Sequence, residues 1–400
     1  MATGTNASHL THAQAIERSR ELAKIIAPHA IETENRRRLS VEIVESITAS
    51  GLVEALVPER WGGYGLGWDT LIATSAEIGK VCGSTAWCFS FFMGHTWLVG
   101  QFGKAVQEAV WGPSPRTLFG TSFAPGGKVT AVAGGYRLSG RWSWASGIDH
   151  CEWITVGGVV PSQDPNGMPE ARLFTLPRSD YRIDDVWNTT AMRGTGSNDV
   201  LIDDALVAPD FSIPFGGALE GSSVGIQLNP ERFWRTPFVG AFPLLLLGPA
   251  LGIARGAYDY FVEWMKVKSN AYSGYGLSDL MPLQIRIAES AAEIDAAELV
   301  IDHAIKRMQS AASIEELQSI PFRALTYRDY VLAGQMLIRA VDRLFAASGA
   351  RGINHTNPMQ RHWRDIHATG LHIGLTADPI YETFGRLELG LPLNPRTIMF

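Results

Sequence analysis

Cysteine is scarce in this 400-residue chain: Cys82, Cys88 and Cys151 are the only three, and no two share a CxxC spacing. A disulfide framework and a thiolate zinc site are thereby excluded, and a reducing, cytoplasmic setting is expected. Charge is also thin, at 18% of residues against the usual quarter. The formal net charge of −6 gives no electrostatic footing for a nucleic-acid binder or a protein held on an anionic membrane. No internal repeat or low-complexity tract occurs. Residues 1–15 are small and polar with no apolar run, so no secretory leader is expected and the start reads as a frayed tail. One uncharged stretch, Thr236 to Ala254, is long enough to cross a bilayer. It carries Pro237, Pro243 and Pro249 and lacks aromatic belts, which favours a buried helix with an irregular lead-in.

What is present is a globular composition, 46% hydrophobic and rich in tryptophan, with twelve. Periodicity divides it into three parts. Residues 1–115 read as helical: Ser40 opens an apolar pattern through Ile43 and Ile47, with Gly51 as its stop. "VPERWGGYGLG" (57–67) is a glycine-rich turn, and 69–103 holds one or two helices, apolar nearly all round and therefore buried. Residues 116–230 alternate in twos. Tyr136, Leu138, Gly140, Trp142 and Trp144 point one way, Arg137, Ser139, Arg141 and Ser143 the other. With Gly134–Gly135 as a hairpin signal, these runs predict an antiparallel β-barrel or sandwich. Residues 231–400 return to a 3.6 period, with Ile287, Ile294, Ala297, Ile301 and Ile305 on one face, and predict a four-helix bundle. The fold class is α+β.

The chemistry-bearing residues are few. "GGYGLG" and "RGTGSND" do not link a strand to a helix and carry no Walker lysine, so nucleotide-loop readings are poor, although Thr195 and Ser197 place hydroxyls beside flexible backbone. His362, His367 and His372 are spaced by five, which sets neighbours about 140° apart on a helix and denies them a shared metal. No G-x-S-x-G occurs. "RWSWASG" delivers Ser146 at a strand end, a geometry suited to the edge of a planar ligand.

In their order and spacing, "VPERWGG", "GSTAW", "RWSWASG", "MRGTGSNDV" and "PMQRHWRDIHATGLH" resemble the acyl-CoA dehydrogenase superfold over residues 15–390. Within it the chain is similar to the two-component flavin-dependent monooxygenases, which include the hydroxyphenylacetate, secosteroid and dibenzothiophene oxygenases. A dehydrogenase of this superfold needs a carboxylate base about eight residues after the "RD" of the last motif, or on the helix matched by "PLLLLGPALG". Here "IHATGLHIGLTA" follows Arg364–Asp365, and neither place holds an acid. The resemblance therefore implies an oxygenase. It takes reduced FMN or FAD from a separate NAD(P)H:flavin reductase, forms a C4a-hydroperoxyflavin with O₂, and hydroxylates a small or medium aromatic such as a phenol or indole. Oxidation at sulfur or nitrogen, or acyl-CoA dehydrogenation, are the alternatives.

The same resemblance implies site roles. Ser146 would bond the flavin N5, while Gly120, Thr121, Ser122, Trp144, Trp187, Thr195 and Ser197 would line the ring system and ribityl chain. His372 would sit over the reactive edge, its ordinary pKa of about 6.5 suiting proton transfer at neutral pH. His95 would polarise a phenolic substrate. Lys268 or Arg351 would hold the flavin phosphate, Arg351 acting across a subunit boundary in the homotetramer usual for the superfold. No metal, nucleic-acid or membrane partner is implied.

Overall fold

Thr11 caps the first helix with a reciprocal box: its hydroxyl accepts from the Gln14 backbone N–H, and the Gln14 side chain accepts from its own N–H. The helix therefore begins well before the expected end of the tail. This computed structural model describes residues 9–162, 164, 166–269 and 274–397. The N-terminal helices are α1 (His12–Ile26), α2 (Ala30–Arg36), α3 (Val41–Ala49), α4 (Trp68–Gly79), α5 (Gly83–Gln101) and α6 (Lys104–Trp111). Ser40 caps α3 as its sequence predicts. All 19 residues of α5 are buried, as expected for a helix apolar on every side.

Among the described residues eight strands follow: β1 (Phe119–Ser122), β2 (Gly127–Val132), β3 (Gly135–Ala145), β4 (Trp153–Val160), β5 (Glu170–Pro177), β6 (Arg182–Asp184), β7 (Asn198–Val207) and β8 (Ser212–Pro214). They form two four-stranded sheets, ordered β1-β4-β5-β8 and β2-β3-β7-β6, stacked as a sandwich with no closed barrel. The expectation of purely antiparallel pairing is corrected at β1, which runs parallel to β4. Trp142 on β3 is fully buried and donates its indole N–H to the Gly157 carbonyl on β4 (2.7 Å), joining the two sheets.

A second correction matters more. Trp142 and Trp144 do not share a face. Between Trp142 and Ala145 the pairing with β7 slips, and Trp144 adopts φ +67°. A bulge of this kind re-aims a side chain. Trp142 stays in the core while Trp144 is 73% exposed.

After α7 (Phe215–Glu220) come α8 (Phe238–Val267), α9 (Met281–Ser310), α10 (Ile314–Gln318), α11 (Ile320–Ala347), α12 (Pro358–Gly370) and α13 (Ala377–Glu388). The helices α8, α9, α11 and α12 pack together as the bundle. The apolar stretch is the core of α8, and 94% of its most apolar window is buried. Its irregular lead-in ends at Pro237; Pro243 and Pro249 lie inside the helix. Pro249 cannot donate to the carbonyl four residues back, that of Leu245, and the Ser90 hydroxyl of α5 donates there instead (2.8 Å).

Candidate active site

On α5, Trp87, Phe91 and His95 are spaced by four and so stand on one face. Phe91 stacks on Trp87 (5.2 Å between ring centroids) and meets His95 edge-on at the same distance. Phe242, from the first turns of α8, closes the cluster and lies 5.5 Å from His372, whose ring is also 5.8 Å from Trp87. Phe123 and Phe238 extend the aromatic wall. No member of this cluster is a carboxylate. The structure brings the two predicted histidines to one aromatic cluster, His95 against Phe91 and Phe119 and His372 against Trp87 and Phe242.

Each imidazole has its tautomer set by its partners. His95 Nδ1 donates to the Phe119 carbonyl (2.5 Å), so its Nε2 is left as an acceptor, which the Thr121 hydroxyl engages at 3.0 Å. Parallel pairing of β1 with β4 is what holds Phe119 and Thr121 against α5. His372 caps the turn beyond α12: the Gly374 backbone N–H donates to its Nδ1 (3.0 Å), so Nε2 carries the proton and is a donor. Burial lowers both pKa values to about 4. The expectation that His372 titrates near neutrality is therefore not met; it is a neutral N–H donor at pH 7.

Ser146 follows β3 immediately. Gly147 turns the chain behind it at φ +68°, where a Cβ would stand 2.6 Å from the Phe92 ring. The Trp87 indole donates to Ser146 Oγ (3.0 Å), and Ser146 in turn contacts Ser197 Oγ at 2.8 Å. Ser197 contacts Thr195 Oγ1 at 2.6 Å, and Thr195 donates to the Met192 carbonyl at 3.0 Å. Trp187 packs on the same loop and donates its indole N–H to that carbonyl (2.9 Å). Ser146, Thr195, Ser197 and Trp187 are thus gathered at one place, with exposed Trp144 beside them.

The remaining predicted residues have other duties or other locations. Gly120 packs against Ile148 and Cys151, and the Ser122 hydroxyl donates to the Ser143 carbonyl (2.8 Å), bracing the strand that carries Trp144. Lys268 donates to the Ser348 carbonyl (2.7 Å) and stands over the Trp264 ring. Burial lowers its pKa, assisted by the nearby Arg351 charge. Both cations are remote from the cluster, because the helix from Phe242 to the end of α8 is on the order of 38 Å long. Within one chain they do not join Ser146. A cleft of about 760 Å³ opens elsewhere, between α1, α4, α8 and α9. Charged residues including Asp69, Glu77, Arg255 and Glu298 line it, and it contains neither histidine of the cluster.

Sequence reasoning missed Trp87 as a functional partner, although a buried indole N–H demands an acceptor. It also missed Asp365 as a support. Asp365 is 3% exposed and accepts from the Met192 backbone N–H (2.7 Å), and burial raises its pKa to about 6. Its other oxygen faces Gly83 at the start of α5. This carboxylate braces the loop between α5 and α12 rather than opening toward the cluster.

A flavin fits these residues. An exposed indole and a half-buried hydroxyl beside an aromatic cluster suit a planar heteroaromatic ring. Comparison with known proteins agrees. Residues 11–115 match the acyl-CoA dehydrogenase N-terminal domain and residues 244–377 the acyl-CoA dehydrogenase C-terminal domain. The chain is 34% identical, over 95% of its length and 99% of the relative's, to the flavin-dependent monooxygenase oxygenase subunit HsaA of Rhodococcus jostii. It is 30% identical, over 95% of each chain, to the oxygenase component of an FADH₂-dependent resorcinol hydroxylase from a Rhizobium species. Among solved structures, the 3-HSA hydroxylase of a Rhodococcus species superposes with a TM-score of 0.89 at 32% identity, covering 98% of this chain and all of that one. The chain belongs to the acyl-CoA dehydrogenase-like family, in its branch of flavin-dependent monooxygenase oxygenase subunits.

Proposed function

We propose that this protein is the oxygenase component of a two-component monooxygenase that hydroxylates a small or medium aromatic, phenolic or indole-like, with reduced FMN or FAD and O₂. The observation that carries the reading is the aromatic cluster itself, which holds no carboxylate and bears one imidazole acceptor and one imidazole donor. The chemistry supplied by reduced flavin is the two-electron activation of O₂, one oxygen atom going to the substrate and the other to water.

The chain's own residues do the rest. His95 Nε2 accepts the hydroxyl proton of a phenol in competition with Thr121, which enriches the ring's ortho carbon in electrons. His372 Nε2–H stabilises charge developing on oxygen, and the aromatic wall excludes water that would divert the reaction to peroxide. Trp144 and Trp187 would hold the flavin ring, with Gly120, Thr121 and Ser122 contributing to its lining. Lys268 and Arg351, side by side and remote from Ser146 in their own chain, serve the flavin phosphate of a neighbouring copy in a homotetramer. A separate reductase supplies the reduced flavin. Three buried free cysteines, each with its thiol pKa raised by burial, support a cytoplasmic setting.

The reading is tested by supplying dithionite-reduced FMN or FAD anaerobically, then ¹⁸O₂ and a panel of phenols and indoles. One ¹⁸O atom in a hydroxylated product is expected. Quantitative peroxide with no labelled product from any member of the panel sinks it. Desaturation of an acyl-CoA by the oxidised-flavin form would replace it with a dehydrogenase.

A further inference from the structure

We infer that the chain Thr195–Ser197–Ser146 fixes Ser146 as a hydrogen-bond acceptor toward its ligand, and so makes these three hydroxyls the element that selects reduced over oxidised flavin. The inference rests on the reading that flavin lies against Ser146; it adds which residues impose the redox preference and how.

Each hydroxyl has one proton and two lone pairs. The Met192 carbonyl only accepts, and Thr195 Oγ1 lies 3.0 Å from it, so the Thr195 proton goes there. Ser197, 2.6 Å from Thr195, must then donate to Thr195. Ser146, 2.8 Å from Ser197, must donate to Ser197. The Trp87 indole can only donate, and it occupies one Ser146 lone pair at 3.0 Å. What Ser146 retains for a ligand is one lone pair and no proton. Running the chain in the opposite sense would set the Thr195 and Met192 oxygens against each other at 3.0 Å with no proton between them. Met192 cannot retreat, because the Asp365 carboxylate holds its N–H (2.7 Å).

Two-electron reduction of a flavin converts ring nitrogen from an acceptor to an N–H donor. An acceptor-only hydroxyl matches the reduced ring and opposes the oxidised one, lone pair against lone pair. Thr195, Ser197 and Trp87 are positioning residues: they act through Ser146 and need not touch the flavin.

The test is the ratio of dissociation constants for oxidised and dithionite-reduced FMN and FAD, titrated anaerobically. Thr195→Val removes the proton sink at constant volume, and Ser197→Ala cuts the chain. Either change frees a proton for Ser146 to donate. The preference for reduced flavin is expected to fall about tenfold in each, chiefly through tighter oxidised-flavin binding. Thr195→Ser, which keeps the hydroxyl, should retain the wild-type ratio. A ratio unchanged within twofold in both Thr195→Val and Ser197→Ala, while flavin still binds, overturns the inference and leaves the functional reading standing. Failure of the wild-type protein to bind FMN or FAD in either redox state sinks both.

Discussion

His95 and His372 border the same aromatic cluster, and the backbone around them gives them opposite polarity. At the α5–β1 side, a strand carbonyl takes the proton of Nδ1 and leaves His95 an acceptor. At the α12–α13 corner, a backbone N–H fills Nδ1 and leaves His372 a donor. Burial keeps both neutral at physiological pH. On the proposed function, these two groups act through hydrogen-bond direction rather than through titration.

The largest effect is expected at the donor. His372→Ala should lower substrate oxidation by roughly 10²–10³-fold while leaving reduced-flavin affinity within about twofold. His372→Gln, whose amide retains an N–H, should fall between the two proteins. In the wild type the rate should be flat from about pH 5.5 to 8.5 as far as these histidines are concerned, since neither titrates in that window. A step in kcat near pH 6.5 that disappears in His372→Gln would show that His372 is a proton donor after all.

Stability in acid tests the shared neutrality. A histidine whose folded pKa lies below its unfolded value binds its proton in the unfolded state first. Its contribution is therefore intact above pH 6.5 and is lost as pH falls from 6.5 toward 4. His95 and His372 act this way, as does His362, which burial lowers to about 3. Each contributes roughly 3–5 kcal/mol across its window. Asp365, raised to about 6, acts in the opposite sense: its burial is a cost above pH 6 that protonation relieves. With three groups against one, the urea midpoint should fall between pH 6.5 and 4. A midpoint constant over that range would mean that at least two of the imidazoles are charged in the folded protein.

The smallest effect sharpens the acceptor side. Thr121→Val removes the donor to His95 Nε2. An unsatisfied buried acceptor should cost about 1–2 kcal/mol in stability. The freed lone pair should lower KM for a phenol several-fold with kcat little changed. A raised KM would place the phenol on Thr121 instead of His95.

Much of this was legible in the chain. Ser40, the unbroken apolarity of α5 and the 3.6 period of α9 each predict their elements, because capping, burial and face periodicity are local properties. Ser146 at a strand end was also readable. Trp144 was not: strict alternation put it with Trp142, and only the slip in pairing with β7, a property of two strands together, turns it outward. How α8 accommodates an internal proline was equally invisible in the sequence, since the hydroxyl that satisfies the carbonyl freed by Pro249 comes from Ser90 on another helix.

The order of residues along the chain is enough to supply two imidazoles, a serine before a glycine, hydroxyls at 195 and 197, and no acid in "IHATGLHIGLTA". Residue types and their order are enough to settle which groups exist. Tertiary structure alone decided their direction. A proton's place on a histidine or a serine depends on which neighbour can only accept and which can only donate, and those neighbours arrive from β1, from the Met192 loop and from Asp365, distant along the chain and adjacent only once it has folded.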